Sequence, residues 1–282
     1  MKQNYYFCDP DKNINCLKTY CYKNGGECRA TTNPDYAVDN YNGVIVAADP
    51  EQPKPGKAVC YMATKNFYNR LYPSINSLCL NTSIDTIYVL AEDDELPFDI
   101  PGLKVINVSE QYYFKKDGPN FKPSRFSWIV LMRAALHRIF PDLDRILSID
   151  ADTIILDSIS DLWELDLNGY YVAGCMEPAK SAGGFCRQED IYINMGVSMF
   201  NLDLLRSTGK GDEIIADLNK NYYDFREQDC INHLCQGGIK VIPPKYNATR
   251  FTFPVTDPEI SVLHFAAYGG WYDLPIVEDY KC

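Results

Sequence analysis

The chain has 282 residues and is acidic, with 27 Lys and Arg against 38 Asp and Glu and a formal net charge of −11. This charge argues against a nucleic-acid binder, which needs a basic face, and against attachment to anionic membranes by charge alone. Hydrophobic residues make up 46% of the chain, and no run reaches the roughly 18 apolar residues that span a bilayer. We therefore expect a globular protein with a sizeable core and no transmembrane segment.

The first 45 residues are polar, rich in Asn, Tyr and Cys, and we interpret them as an N-terminal extension. Four of the 11 cysteines lie here, at Cys8, Cys16, Cys21 and Cys28. No Cys-x-x-Cys pair occurs, so a conventional zinc site is not supported, although a zinc site or a disulfide in this cluster stays open. The chain starts without the apolar segment of a signal peptide, so we expect a cytoplasmic protein with mostly free thiols.

Apolar runs of strand length then alternate with segments of helical periodicity. We predict strands over 58–63, 86–90, 103–106, 145–149, 153–156, 170–175, 197–200, 239–242 and 260–263. The helical segments are one with Phe67, Leu71, Ile75 and Leu78 on a shared apolar face, a long one from a Ser124 cap to Phe140, and two over 213–223 and 229–234. This alternation indicates an α/β fold with a mostly parallel sheet.

Two carboxylates directly follow one of these strands. The apolar segment 145–149 leads into Asp150 and Asp152, and a second apolar run begins at Thr153. Residues i and i+2 of a strand point the same way, so both carboxylates face one site if the strand continues, or they reach it from a turn just after it. The carboxyl ends of strands are where α/β sheets bind ligands. Paired carboxylates there suit a hard divalent cation that also touches phosphate oxygens; the alternative is a solvated acidic turn.

One of only three histidines, His264, ends an apolar strand near the C-terminus. A lone histidine in such a place is more often a hydrogen-bonded core or surface residue. Because Asp150 and Asp152 end another strand, His264 can converge with them at one rim of the sheet, which makes it a candidate third metal ligand.

Four further segments complete a recognisable series. They read Ala-Thr-Lys-Asn-Phe-Tyr at 63–68, Tyr-Ile-Asn-Met-Gly-Val at 192–197, Glu-Gln-Asp-Cys-Ile-Asn at 227–232 and His-Phe-Ala-Ala-Tyr-Gly-Gly-Trp at 264–271. With the Asp150–Asp152 pair between them, residues 57–273 resemble the family-8 retaining glycosyltransferases, among them bacterial lipopolysaccharide galactosyl- and glucosyltransferases. The resemblance implies a GT-A domain over 57–282, a Rossmann-like mixed sheet with helices on both faces.

The resemblance also implies which residues hold a nucleotide-sugar donor. Ala63, Thr64, Asn66 and Phe67 match the segment that holds the nucleoside, with Thr64 in place of an acidic residue. Arg133 lies 17 positions before Asp150, as the family's donor-contacting helix arginine does. Ala151 and Gly196 complete this side of the site, and the metal ligands implied are Asp150, Asp152 and His264.

The catalytic residues implied by the resemblance are Asn194, which faces the donor sugar, and Glu227 and Gln228, which lie beside the anomeric centre. The C-terminal segment departs from the family pattern His-Tyr-x-Gly-x-x-Lys-Pro-Trp. It is one residue shorter, and Gly269-Gly270 stand where the family has Lys-Pro. The missing lysine normally binds the donor diphosphate. Either another cation substitutes, the metal suffices, the backbone N–H groups of Gly269 and Gly270 meet the phosphate, or donor affinity is weak.

The function implied is transfer of glucose or galactose from a UDP-sugar to an acceptor hydroxyl, with Mn²⁺ or Mg²⁺ and retention of configuration. The acceptor can be a glycan, a protein or a small molecule. One alternative is a non-catalytic relative that binds a nucleotide sugar or a partner, as Thr64 and the missing lysine suggest. Another is a phosphotransferase or phosphohydrolase, which is disfavoured because no aspartate follows the first strand.

Overall fold

The computed structural model describes residues 56–122, 126–177, 190–249 and 259–281, and the backbone of 5–8 and 44–47. The chain divides into two compact units, Met1–Lys54 and Pro55–Cys282. In the first, strands β1 (Tyr5–Cys8) and β2 (Val44–Ala47) pair antiparallel. The side chains of the early cysteine cluster lie outside the described residues. Among the cysteines that are described, Cys60, Cys79, Cys175, Cys230 and Cys235 are all free thiols.

The second unit alternates strands and helices. Its strands are β3 (Ala58–Met62), β4 (Thr86–Ala91), β5 (Leu103–Asn107), β6 (Arg145–Ile149), β7 (Thr153–Ile155), β8 (Val172–Met176), β9 (Ile193–Asn201), β10 (Ile239–Val241) and β11 (Val262–His264). Its α-helices are α1 (Tyr68–Asn81), α2 (Leu136–Ile139), α3 (Leu202–Ser207), α4 (Lys210–Leu218), α5 (Glu227–Leu234) and α6 (Pro275–Glu278). Short 3₁₀ helices cover Lys65–Phe67, Trp128–Ala135, Ser160–Glu164, Pro244–Asn247 and Trp271–Asp273.

Seven of these strands form one sheet in the order β10-β8-β9-β6-β3-β4-β5. Strand β9 runs antiparallel to its neighbours β6 and β8, and the other neighbouring pairs are parallel. The expected mixed, mostly parallel sheet is therefore confirmed. Strands β7 and β11 form a separate antiparallel pair.

The sheet separates two hydrophobic layers. Along β3, Cys60 and Met62 face one layer, while Val59 and Tyr61 face the other, as the two-residue repeat of a strand requires. Helix α1 covers the second layer with its fully buried Leu71, Ile75 and Leu78, each of which contributes about 1.5–3 kcal/mol by its burial.

The segment 128–139 and helices α4 and α5 cover the first layer. Helices on both faces of the sheet are thus confirmed. No helix in the described part of the chain has the length and hydropathy needed to cross a bilayer.

The expected apolar face of the first helix needs one correction. Leu71, Ile75 and Leu78 are buried as predicted, but Phe67 precedes α1 and is 41% exposed. It lies in the 3₁₀ turn Lys65–Phe67, which is closed by the hydrogen bond from the N–H of Phe67 to the carbonyl of Thr64. Tyr68 takes the buried position instead.

The single long helix expected over 124–140 is also wrong in part. Its proposed cap, Ser124, lies outside the described residues; Ser127 caps a 3₁₀ stretch over Trp128–Ala135, and only α2 is α-helical. The β-branched Ile129 and Val130 weaken α-helix propensity at this start. The segment nevertheless ends before Pro141, as expected.

Several other boundaries differ from the prediction, among them β8, which begins two residues later than expected, and α5, which begins two residues earlier. Helix α4 covers Lys210–Leu218 and not 213–223, because Asn219 forms its C-terminal cap. Strand β9 begins at Ile193, four residues earlier than expected. Side chains of α5 hydrogen-bond the backbone of its first residues, a contact that the apolar pattern of the sequence does not predict. The late strand expected over 260–263 is β11, which pairs with β7 outside the main sheet.

Candidate active site

Asp150 and Asp152 lie in the turn between β6 and β7, which is the second of the two arrangements expected from the sequence. The backbone N–H of Asp150 donates to the carbonyl of Gly196 at 2.8 Å, and the hydroxyl of Thr153 donates to the carbonyl of Asp150 at 3.0 Å. The turn is therefore fixed on both sides, while the two carboxylates keep about a third of their surface exposed. They are accessible to a ligand from solution.

His264 reaches this turn through the β7–β11 pair, in which it lies opposite Thr153. The N–H of Phe265 donates to the carbonyl of Asp152 at 2.9 Å, which closes the pairing. Nε2 of His264 lies 3.3 Å from Oδ1 of Asp152 and 3.7 Å from Oδ2 of Asp150. The ligand atoms of all three residues lie within 4.8 Å of one another, so the fold brings the three expected metal ligands together.

The chemistry of this cluster fits a divalent cation. Two carboxylates and an imidazole form a mixed oxygen and nitrogen set, which Mn²⁺ accepts, and the exposed side leaves room for further oxygen ligands. Burial opposes a charge on His264, but Asp152 and Asp150 raise its pKa above the ordinary value. Burial also acts against the charged form of Asp152, yet His264 lowers the pKa of this carboxyl. The imidazole cation and the two carboxylates therefore stabilise one another, and a bound divalent cation would take the place of the proton on Nε2.

Gly196 lies directly beside the His264 ring. A Cβ atom at this position meets Cε1 of His264 at 2.2 Å and Nδ1 at 2.6 Å, far inside van der Waals contact. Only glycine lets the imidazole lie against β9, so the lack of a side chain at Gly196 allows His264 to reach Asp150 and Asp152.

Arg133 connects the cluster of Asp150, Asp152 and His264 to α5. Its side chain is 4% exposed; Nη1 donates to Oε1 of Glu227 at 2.7 Å, Nη2 donates to Asp150, and Nε donates to Oγ of Ser148 at 3.1 Å. Burial acts against the charge, but Asp150 and Glu227 raise the pKa of the guanidinium. All three donor groups are therefore engaged by protein, and the expected contact with a donor substrate stays a prediction.

Glu227 begins α5 and is buried, at 3% exposure. Burial raises the pKa of its carboxyl to about 7, against the opposing effect of Arg133. Within the described residues its Oε2 atom has no hydrogen-bond partner. The preceding Arg226 has φ 52° and ψ −125°, a sparsely populated backbone conformation that costs a non-glycine residue of the order of 1–3 kcal/mol. Such strain is characteristic of functional sites.

Gln228 belongs to a row of amides that attaches α5 to β9. Its Oε1 accepts from the N–H of Met195 at 3.0 Å. Asn232, four residues later in the sequence, hydrogen-bonds the backbone of Ile193. Gln236, four residues after Asn232, donates to the carbonyl of Ile191. The four-residue repeat of a helix face thus matches the two-residue repeat of the strand. Gln228 also donates to the hydroxyl of Tyr192 at 3.1 Å. This row places Gln228 beside Asn194.

Asn194 lies between α5 and the cluster of Asp150, Asp152 and His264. Its Oδ1 accepts from the N–H of Gly196 at 2.8 Å, and its Nδ2 donates to Oε2 of Glu177 at 2.7 Å. The expected catalytic residues Asn194, Glu227 and Gln228 are therefore joined to the expected metal ligands by a few short contacts. Their individual roles stay predictions.

The segment expected to hold the nucleoside leaves the end of β3. Ala63 is buried, Thr64 is half-buried, and Asn66 and Phe67 are exposed. Glu92, after β4, accepts from the N–H of Lys65 at 2.9 Å and from Nε1 of Trp128 at 3.1 Å, so it fixes this turn. Beside it lies a cleft of about 410 Å³ lined by Lys65, Tyr68, Asn69, Asp93, Glu95, Leu96 and Pro97. None of the three metal ligands lines this cleft.

The C-terminal segment passes close to the same turn. The guanidinium of Arg70 lies 5.4 Å from the ring centroid of Phe67 and 5.9 Å from that of Tyr272. Gly269 and Gly270 are exposed, and a Cβ atom at Gly269 has nothing within 4 Å. Ala267 has φ 58° where the family pattern has glycine. The expected phosphate contact at Gly269 stays a prediction.

Several residues of the site were not singled out from the sequence. Ser148 accepts a hydrogen bond from Arg133, and Glu177 accepts one from Asn194. Asn247 hydrogen-bonds both Asn194 and His264. Asn247 ends the 3₁₀ helix Pro244–Asn247, and no pattern in the sequence marks it as a partner of His264. Glu92 and Arg226 carry no signal, because only the packed structure shows what they contact.

Comparison with known proteins agrees with this geometry. A putative glycosyltransferase of Haemophilus influenzae is 27% identical over 146 residues, 48% of this chain and 44% of that protein. General stress protein A of Bacillus subtilis is 26% identical over 139 residues, 43% of this chain and 47% of that protein. The matches thus span about half the length of these curated relatives.

Among solved structures, the galactosyltransferase LgtC in complex with donor and acceptor sugar analogues superposes with a TM-score of 0.58 at 19% identity. The match covers 75% of this chain and 87% of LgtC, which shows a shared GT-A fold. The family model for glycosyl transferase family 8 matches residues 58–268, three quarters of the sequence. The chain therefore belongs to glycosyl transferase family 8.

Proposed function

We propose that this glycosyltransferase moves glucose or galactose from the corresponding UDP-sugar to a hydroxyl of a glycan acceptor, with Mn²⁺ or Mg²⁺ as cofactor and retention at the anomeric carbon. The observation that carries the proposal is the convergence of Asp150, Asp152 and His264, whose ligand atoms lie within 4.8 Å of one another. A hard cation between such ligands is suited to a diphosphate.

The metal ligands, Arg133 and the glycine backbone form the part of the site that meets the leaving group. Asp150, Asp152 and His264 hold the cation, which when bound offsets the negative charge that develops on the leaving diphosphate. Arg133 holds the Asp150 carboxylate in place. We expect backbone groups at Ala151 and Gly269 to meet the donor, while Gly196 acts by admitting the His264 ring.

The sugar and the nucleoside meet different parts of the site. Asn194, Glu227 and Gln228 orient the hexose ring. The nucleoside lies against Ala63, Thr64, Asn66 and Phe67. In the reaction, the acceptor oxygen bonds to the anomeric carbon on the face that the phosphate leaves, and the hydroxyl proton passes to the departing phosphate oxygen.

The first experiment is thermal unfolding of metal-free protein with UDP, with Mn²⁺, and with both. A ligand that binds the native state raises the midpoint by mass action, and we expect UDP to stabilise only when Mn²⁺ is present. Asp152→Asn is expected to remove the shift. Glu164→Gln, which removes a negative charge from an exposed carboxylate, serves as the control and should keep it. No shift with wild-type protein would refute the metal and UDP assignment.

The second candidate is a non-catalytic relative, which Thr64 and the Gly269-Gly270 departure favour. It predicts the same metal-dependent UDP shift without turnover. Incubation with UDP-glucose and UDP-galactose, followed by measurement of released UDP, separates the two. UDP release that requires Mn²⁺ and is absent in Asp152→Asn supports the enzyme, and binding without release from either donor supports the relative.

A further inference from the structure

His264 is held by a chain of hydrogen bonds that begins at the backbone of β9. Nδ1 of His264 lies 2.8 Å from Oδ1 of Asn247, and Nδ2 of Asn247 donates to Oδ1 of Asn194 at 2.9 Å. Asn194 in turn accepts from the N–H of Gly196 at 2.8 Å and donates to Glu177 at 2.7 Å. Asn247 and His264 are 1% and 4% exposed, so water does not compete with the contact between them.

This chain fixes which atoms are donors. A backbone N–H can only donate, so the Asn194 atom facing Gly196 is its oxygen, and a carboxylate partner at Glu177 requires the amide nitrogen on the other side. The Asn247 atom facing that oxygen must then be nitrogen, which turns the Asn247 oxygen toward His264. Because an amide oxygen only accepts, Nδ1 of His264 carries a proton.

We propose that Asn247 is a positioning residue that keeps the His264 proton on Nδ1 and thereby leaves Nε2 as the metal-binding atom. This inference rests on the proposed metal site. Nε2 is the nitrogen that faces Asp152 at 3.3 Å and Asp150 at 3.7 Å. A proton on Nε2 in the metal-bound state blocks the lone pair that a cation needs. Hydrogen bonds of this kind, from the second nitrogen of a ligating histidine, set ring orientation and ligand basicity.

The arrangement also links the two halves of the site. Asn194, expected to face the donor sugar, accepts a hydrogen bond from Nδ2 of Asn247. Oδ1 of Asn247 in turn accepts a hydrogen bond from Nδ1 of His264. A change in the Asn194 amide is thereby passed to the metal ligand through two hydrogen bonds. Gly196 serves both ends, since its N–H orients Asn194 and its missing side chain admits the His264 ring.

The test is calorimetric titration of metal-free protein with Mn²⁺ alone. Asn247→Leu keeps the volume but removes the acceptor, and we expect its Mn²⁺ affinity to fall about 10- to 100-fold. Asn247→Asp keeps an oxygen toward Nδ1 but loses the nitrogen that donates to Asn194, and we expect it to bind Mn²⁺ more tightly than Asn247→Leu does. Asn120→Leu is the matched control. Asn120 is 2% exposed and hydrogen-bonds Leu218, Asn221, Tyr223 and Arg226 but none of the three proposed metal ligands, so its loss should weaken folding but not Mn²⁺ binding.

A spectroscopic readout covers the case in which Asn247→Leu does not fold. The chain has three histidines, so the imidazole nitrogens of ¹⁵N-histidine-labelled wild-type protein can be resolved by NMR. With Cd²⁺ bound as a diamagnetic probe, we expect the His264 proton on Nδ1. A proton on Nε2 instead overturns the proposal.

The remaining outcomes separate this proposal from the proposed function. If wild type binds Mn²⁺, Asp152→Asn does not, and Asn247→Leu binds as wild type does, the metal site stands and the role of Asn247 is refuted. Equal losses in Asn247→Leu and Asn120→Leu also refute it, because general destabilisation then explains both. Wild-type protein that binds no Mn²⁺ overturns the metal site and the positioning role together.

Discussion

Arg133 donates to Glu227 at 2.7 Å, and both side chains are only 4% exposed. A buried ion pair of this kind gains its energy in a medium that also penalises each charge alone, so the removal of one partner costs more than the pair contributes. Since Arg133 also donates to Asp150, the same guanidinium stabilises a proposed metal ligand and a residue expected beside the anomeric carbon. The order of the site therefore depends on charge balance among these three groups.

The first prediction concerns this balance. Arg133→Met leaves the Glu227 carboxylate buried without a cation, and we expect the free energy of unfolding to fall by about 3–5 kcal/mol. The double variant Arg133→Met with Glu227→Gln should recover part of the loss, because the uncompensated charge is gone. Urea unfolding of metal-free protein at pH 8 measures both. Losses that simply add would show that the two residues are not energetically coupled.

The second prediction is a pH dependence of stability. Burial raises the pKa of Glu227 to about 7 from an ordinary 4.5, so between these values the native state binds more protons than the unfolded state. Stability contributed by this group therefore falls as pH rises through that window. At about 1.4 kcal/mol per pKa unit, the full cost above pH 7 is about 3 kcal/mol.

Comparison of wild type with Glu227→Gln isolates this effect. The glutamine keeps an oxygen for Arg133 but does not titrate. We expect the stability of wild type relative to the variant to decrease between pH 5 and pH 8, as measured by urea unfolding. A flat or rising difference over this range would contradict a raised pKa at Glu227.

The third prediction concerns Gly196. In Gly196→Ala the new Cβ meets the His264 ring at 2.2 Å, so the imidazole must leave its place beside Asp150 and Asp152. We expect Mn²⁺ affinity to fall about 10-fold or more. Gly211→Ala is a matched control, because its Cβ meets Cε1 of His137 at 2.5 Å, a similar clash with an imidazole that is not part of the site. Calorimetric Mn²⁺ titration should therefore show a loss in the first variant only.

Much of the fold follows from local pattern. The runs at 58–63, 86–90 and 145–149 alternate with helical segments, and this pattern alone predicts a mostly parallel α/β sheet. The antiparallel insertion of β9 between β6 and β8 is not readable in this way, because strand order depends on pairing between distant segments. The 3₁₀ geometry of Trp128–Ala135 also escapes prediction, since its apolar periodicity suits an α-helix equally well.

The site shows the same division. Asp150, Asp152 and His264 were predicted together, and the β7–β11 pairing brings them together. What the motifs do not show is how the ligands are supported. The burial of Arg133 between two carboxylates and the contact of Asn247 with His264 both depend on side chains more than 15 residues apart in sequence that meet only after folding.

The last prediction addresses the departure at Gly269-Gly270. The family pattern has a lysine at the position of Gly269 that binds the donor diphosphate, and a Cβ atom here has nothing within 4 Å. Gly269→Lys should therefore be accommodated without strain and supply the missing cation. A hydrogen bond to a charged group contributes about 1.5–3 kcal/mol, which corresponds to a roughly 10- to 100-fold tighter UDP complex in the presence of Mn²⁺.

Gly269→Ala adds the same Cβ without the charge and should bind UDP as wild type does. Calorimetric titration with UDP compares the three proteins at low ionic strength. If Gly269→Lys and Gly269→Ala bind equally, the diphosphate lies out of reach of this residue, and the chain meets its phosphate charge elsewhere.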